Sequence, residues 1–264
     1  MKQSKTIIGV AILLFVQLAT QAQQLSFDGF GPVRHSVYSG SSHPIGKFNQ
    51  FARVKLAAGY SADVKQSDHF GWGIDLNRQI NSFRWPNEYL NFPSSGNGSN
   101  YSITSSQGRR GWTATTLGVG PWWQFSLNSS PGFTYSIYTK PGISLVQSPE
   151  ASSVLNYVHG QSGILFNMSA QRKLVFGVTT GARFNFNWRE NLQFFLNPQY
   201  VYTSAHINYE HRDLTNANPK GVFNPGLALE SPILEDFVTP NYFNFNVGLT
   251  YTPKAKSRKP AALV

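Results

Sequence analysis

Between Phe70 and Ile80 the chain alternates one residue at a time. Phe70, Trp72, Ile74, Leu76 and Ile80 fall on one face of an extended segment, and Gly71, Gly73, Asp75, Asn77 and Gln79 fall on the other. Successive side chains of a β-strand point to opposite faces, so the spacing predicts a strand with one apolar and one polar side. The pattern recurs. Val54, Leu56, Ala58, Tyr60 and Ala62 alternate with Arg53, Lys55, Ala57, Gly59, Ser61 and Asp63; Leu117, Val119, Trp123 and Phe125 alternate with Thr116, Gly118, Gly120 and Trp122. Phe133, Tyr135, Ile137, Ile143 and Leu145 oppose Ser136, Lys140 and Gly142, and Leu174, Phe176, Val178, Ala182, Phe184 and Phe186 oppose Gly177, Thr179, Gly181, Arg183 and Asn185. Two more strands follow at 192–203 and 242–251, the latter with Phe243, Phe245, Val247, Leu249 and Tyr251 facing away from Asn244, Asn246, Gly248 and Thr250. A weakly alternating segment, 34–40, is assigned as the first strand because closure requires a partner for the next one and membrane barrels favour even counts.

The connections are of two kinds. Segments 65–68, 128–132 and 188–191 are tight turns rich in turn-forming residues. Segments 41–52, 82–111, 147–172 and 204–240 are long, and long and short alternate strictly. The expected fold is all-β: a single closed antiparallel transmembrane β-barrel of eight strands, with long extracellular loops and short periplasmic turns. Strand-like residues 163–170 are expected to extend the third long loop; were they and a partner to span, the count would be ten. Which face meets water follows from what fills the centre. A soluble barrel packs its interior with branched apolar side chains, whereas the polar face here is Gly, Ser, Thr, Asn and Gln. The apolar face is therefore expected to point into lipid, through Phe70, Trp72, Ile74, Leu76, Phe184, Phe245, Val247 and Leu249 among others. Aromatics near strand ends (Trp72, Trp112, Trp122, Trp123, Trp188, Tyr60, Tyr200, Tyr202, Tyr251) are expected as interfacial girdles. A secreted soluble lipocalin-like barrel is the alternative that turns every face over.

Composition narrows the setting. A mean hydropathy of −0.27 is no obstacle to a membrane barrel, because alternating faces cancel in any window. Lys2 and Lys5 precede an apolar run from Ile7 to Leu18, and Thr20 and Ala22 are small residues at the positions a signal peptidase reads, so 1–22 is expected to be a cleaved signal peptide. The run is too short for a membrane-spanning helix, which needs about 20 residues. Residues 23–252 would then be the barrel domain and 253–264 a basic, disordered periplasmic tail containing Lys254, Lys256, Arg258 and Lys259. With no Cys, an exported chain of this size relies on its sheet rather than on disulfides. The formal charge of +10 would suit nucleic acid in a cytoplasmic protein; export argues against that partner.

With the strands in place, HPIGKF (His43 to Phe48), Ala58 to Tyr60 followed by FGWGI (Phe70 to Ile74), and the closing NFNVGLTY (Asn244 to Tyr251) carry a resemblance. The chain resembles small outer-membrane β-barrel proteins of the OmpA transmembrane-domain and OmpX type, in the form common among Bacteroidetes-like bacteria. The resemblance covers roughly residues 30 to 252. It implies location in the outer membrane of a Gram-negative bacterium, contact with lipid and lipopolysaccharide, and insertion by the barrel assembly machinery, for which Asn246, Gly248 and Tyr251 look like the assembly signal. The chain departs from the family pattern by continuing past the aromatic.

Candidate chemistry is sparse. His206, Glu210, His211, Asp213 and Ser204 stand close in sequence at the start of the fourth long loop and are the residues a lipid A-modifying barrel enzyme or a metal would use. Solvated loop polarity accounts for them equally, and no cofactor is expected. In the lumen, Asp75, Lys140 and Arg183 are expected mid-strand, Arg53 and Lys55 nearer the outer mouth, and Asp63 nearer the periplasmic end. A lone charge in so narrow an interior is costly, so Asp75 is expected to pair with Lys140 or Arg183 and block flow; a narrow cationic or gated pathway is the alternative. The expected role is non-enzymatic: surface interaction or envelope integrity, with at most small-solute conduction. Alternatives are an accessory barrel of a secretion or envelope-assembly system, as in PorT-like barrels, and a lipid A-modifying enzyme. Replacing Ile74 by Arg near the bilayer midplane is expected to cost about 2 to 4 kcal/mol and Asn77→Ser little, as thermal unfolding of the two variants would read.

Overall fold

A computed structural model describes residues 32–86, 101–126, 132–157, 160–217 and 223–253. The expected signal segment 1–22 and the tail beyond 253 lie outside these residues. The described residues form thirteen strands. Eight of them close into an antiparallel barrel: β1 (Arg34–Pro44), β2 (Ala52–Lys65), β3 (Phe70–Phe83), β5 (Trp112–Ser126), β6 (Phe133–Gln147), β9 (Arg172–Arg189), β10 (Leu192–Thr203) and β13 (Tyr242–Tyr251). Going round, the order is β1-β13-β10-β9-β6-β5-β3-β2. No helix among the described residues is long and apolar enough to cross a membrane.

The weakly alternating first strand proves essential to closure. It pairs on one side with β2, from Arg34 opposite Asp63 to Ser42 opposite Lys55. On the other it pairs with β13, from His35 opposite Tyr251 to Pro44 opposite Tyr242. It also runs four residues further than its sequence suggested, to Pro44, so the first long connection shrinks to a short 3-10 turn, Gly46–Gln50. The inward side chains Ser36, Tyr38, Ser61, Asn77, Thr179, Asn197 and Asn246 are all buried. Their outward neighbours Trp72, Ile74, Leu76, Leu117, Val119, Phe176, Leu196 and Val247 are all exposed. In water such a belt would leave many apolar side chains unburied, each worth about 1.5 to 3 kcal/mol.

The other three long connections contribute strands of their own. β4 (Tyr101–Gln107), β7 (Ala151–Tyr157), β8 (Ser162–Met168), β11 (Ile207–Arg212) and β12 (Ile233–Val238) make a second sheet in the order β12-β11-β8-β7-β4. Residues 163–170, expected as a strand-like extension, contribute β8. A single helical turn, Pro225–Glu230, is capped by the Asn224 side chain, which accepts from the Gly226 and Leu227 N–H groups. Between this sheet and the barrel mouth lies the apolar core. Phe48, Phe51, Trp112, Val201 and Tyr242 from the barrel side meet Leu155, Leu165, Phe166, Met168 and Ile207 from the cap, all buried. Phe48 is the centre of an aromatic group, with its ring 5.0 Å from Trp112 and 5.2 Å from Tyr242, edge-on to both.

Trp112 is fully buried and its Nε1–H donates to the Phe51 carbonyl at 2.9 Å. Trp112→Ala is expected to cost about 3 to 5 kcal/mol, concentrated in the cap. The expected result is protease cleavage within the long connections while the unboiled protein still migrates as a compact band on a gel; loss of the compact band at the same temperature would show that cap and barrel unfold together.

Candidate functional site

Charge enters the lumen from four strands. Asp63 on β2, nearer the turn end, reaches Lys140 on β6 and Arg183 on β9. Lys140 Nζ donates to Asp63 Oδ1 at 3.0 Å and Arg183 Nη1 donates to Asp63 Oδ2 at 3.0 Å. All three side chains are at least nine-tenths buried. Arg183 is tied further: Nη2 donates to Ser61 Oγ at 2.9 Å and Nη1 to Ser36 Oγ at 3.2 Å, and its guanidinium lies 4.5 Å from the centre of the Phe195 ring. Lys140 has room because the residue facing it on β3 is Gly73, where a Cβ would collide with the Asp63 carboxylate and crowd the Lys140 ammonium.

Asp75 does not pair with either cation, contrary to the sequence expectation. Its two oxygens each accept from the Tyr38 hydroxyl at 2.9 Å, and Oδ2 also accepts from Asn77 Nδ2 at 2.9 Å. Tyr38 spans to it across Gly59, where any side chain would overlap the phenol ring. The stagger between strands decides the matter. Asp75 sits opposite Ser61 on β2, one inward position closer to the mouth than Asp63, and that step takes it out of reach of Lys140. Arg53 and Lys55 are not lumen residues either. A β-bulge between Arg53 and Leu56 breaks the alternation, and four successive residues, Arg53 to Leu56, are exposed.

Above the charges the lumen is filled by amides and hydroxyls. Asn77 also donates to Thr179 and accepts from Gln79, Tyr138 donates to Asn197 and Gln199, and Asn246 donates to the Asn197 carbonyl. Asn77→Ser would therefore give up several buried hydrogen bonds, each worth about 1 kcal/mol, which corrects the mild outcome expected from polarity alone. At the turn end Arg34 lies 4.4 Å over the Trp122 ring and donates to Gln124 at 3.0 Å. The void left among Arg34, Asp63, Trp122, Lys140 and Arg183 is about 10 Å³, room for about one water.

The outer wall leaves Trp72, Ile74, Leu76, Phe245 and Val247 exposed, and Phe70, Phe184 and Leu249 half-buried on the same face. Two of the expected girdle aromatics are elsewhere: Trp112 is in the cap core and Trp122 is inside the lumen. In the closing strand Asn246 points inward, and Gly248 leaves space for the Phe195 ring.

The residues considered for catalysis are each engaged by other neighbours. The His206 ring stacks on Phe237 at 4.3 Å, and His211 lies beside Tyr209 at 5.6 Å. Ser204 Oγ donates to the Phe176 carbonyl, Glu210 accepts from Asn167, and Asp213 caps its own turn through the Thr215 N–H. No group of three or more His, Cys, Asp or Glu suited to a metal occurs among the described residues. The cap instead has an ion pair between Lys47 and Asp236, with Tyr209 donating to the same carboxylate. Partial burial pushes the Asp236 carboxyl up, but Lys47, the Phe237 N–H and the Tyr209 hydroxyl outweigh it and hold it below the usual carboxylate range.

No protein-family model and no curated protein matches the chain. Among solved structures, Neisserial surface protein A covers 85% of this chain and 99% of its own, at 11% identity and a TM-score of 0.43. Ail, the attachment invasion locus protein of Yersinia pestis, in complex with a heparin analogue, covers 84% and 97% at 10% identity, TM-score 0.38. A major outer membrane protein from Thermus thermophilus covers 83% and 98% at 9% identity, TM-score 0.40. The barrel described above rests on this chain's own strand register.

Asp63 is the single carboxylate that both buried cations share. Asp63→Ala would strand Lys140 and Arg183 in the lumen, and removing one partner of a buried pair costs about 3 to 5 kcal/mol. A lowered unfolding temperature is expected, with Lys140→Met milder because Arg183 still holds Asp63; equal losses from both would contradict the shared role.

Proposed function

We propose that this chain is a β-barrel of the outer membrane of a Gram-negative bacterium, exported by a cleaved signal peptide and inserted by the barrel assembly machinery. Its role on this reading is non-enzymatic: the sealed barrel anchors a folded outer cap that contacts partners at the cell surface or braces the envelope. The observation that carries the reading is the inversion of faces, an exposed apolar belt around a buried, hydrogen-bonded polar lumen. Only lipid satisfies such an exterior, and only a closed sheet leaves no unpaired backbone edge within it. The tight turns then lie on the periplasmic side and the cap outside. In this setting Asn246, Gly248 and Tyr251 act as the assembly signal. Strands of the cap present ordered surface of a kind that loops serving only as connections do not need.

Filled amide layers and the charge cluster argue that the lumen is a plug rather than a pathway. Reconstituted into planar bilayers, the protein is expected to show no sustained ion conductance, and membrane fractionation with an unboiled gel is expected to give a detergent-extracted, heat-modifiable band. Steady channels would overturn the plug; recovery from the medium without detergent, with no heat shift, would overturn the membrane reading.

A further inference from the structure

One group of charges on the outer wall has no ion-pair partner among the described residues. Arg53 and Lys55 are exposed at the bulge in β2, Arg53 opposite Ser82 on β3, and Arg78 is exposed four residues before Ser82 on the same strand, in the outward row that also holds Trp72, Ile74 and Leu76. The register places Arg78 at the edge of the apolar belt and Arg53 and Lys55 beyond it on the cap side, within the reach of long side chains. Leu76, Leu117 and Ile143 form one apolar row across β3, β5 and β6, and the next row toward the cap reads Ala58, Arg78, Thr115, Leu145. From Phe70 to Arg78 the strand rises about 26 Å, or about 20 Å along the axis at a tilt near 40°. That is close to the ~25 Å height of a lipid-facing band. None of the three ion pairs found among the described residues involves Arg53, Lys55 or Arg78. The outward positions on described β1, β2, β3 and β5 contain no Asp or Glu.

Three cations without a carboxylate are ordinary in water, where each is solvated. At the edge of a bilayer, long Arg and Lys side chains reach along the wall to the headgroup level, and there the matching charge must come from the lipid. We propose that Arg53, Lys55 and Arg78 form a binding site on the outer wall for a phosphate group of an outer-leaflet glycolipid. Guanidinium groups grip phosphate oxygens through paired N–H donors. Thr115, half-buried and directly opposite Arg78, offers a hydroxyl beside them for the sugar, and exposed Val54, Leu56 and Leu76 offer the wall on which the acyl chains lie. The proposal rests on the outer-membrane reading and specifies which lipid chemistry the wall selects.

The test uses the full chain refolded into phosphatidylcholine vesicles alone, with bis-phosphorylated lipid A, or with lipid A stripped of phosphate, followed by detergent extraction and measurement of retained lipid A. Wild type and Arg189→Gln, a charge at the opposite end of the barrel, are expected to retain phosphorylated lipid A, and R53Q/K55Q/R78Q to retain about tenfold less. Equal retention by the triple variant, or equal retention of the stripped lipid, would overturn the site. Displacement of the lipid by inorganic phosphate would reassign it to a free anion. The unboiled gel in phosphatidylcholine alone reads the barrel separately: a wild-type chain that fails to fold there removes the membrane reading itself, and a triple variant that folds there shows that its lost lipid is not a folding defect.

Discussion

The pairing of the first strand with the last is the constraint on which the rest depends. Once β1 bonds to β13 on one side and β2 on the other, no backbone edge in the wall is left open, and the exterior can do without water. The usual arrangement of a globular fold can then be reversed. Apolar side chains cover the outside without needing to pack against one another, and polar ones fill the inside without needing solvent. The strand that makes this possible is the least apolar in the wall, with Ser36, Ser39, Ser41 and Ser42 along its length; its backbone bonds matter more than its side chains.

Much of this was legible because period-two alternation is a local signal. Strand positions, face assignments and three of the four long connections could be read along the chain, while the first proved short because β1 runs on to Pro44, and the belt residues from Trp72 to Val247 fall on the face that alternation gave them. What could not be read was whatever depends on stagger between strands. Asp63 and Asp75 both alternate inward, and nothing local tells which meets Lys140; the inward Gly73 facing Asp63 was the available hint, since a glycine in a lumen marks where a large neighbour crosses. Arg53 and Lys55 defeated the alternation rule for another reason, because a bulge shifts parity without altering the pattern of residue types.

The cap was hardest to foresee. β4 reads YSITSSQ and has no apolar face to announce it; it is a strand because β7 lies beside it. Only β8 had a recognisable run. The apolar residues that hold the cap together, Phe48, Phe51, Trp112, Phe166 and Ile207, are scattered through the long connections and the strand ends beside them, and their common destination appears only when the barrel brings them to one end.

That gathering has a temporal side. The cap core draws on β2, β5, β10 and β13 as well as on its own sheet, and long-range contacts of this kind form slowly, because the loops between them must close before the contacts repay the entropy. On the proposed outer-membrane reading, each connection crosses the bilayer as a pliable, largely polar thread and finds its partners on the far side. The finished cap is thus a record of assembly: its compactness depends on every hairpin beneath it having been joined.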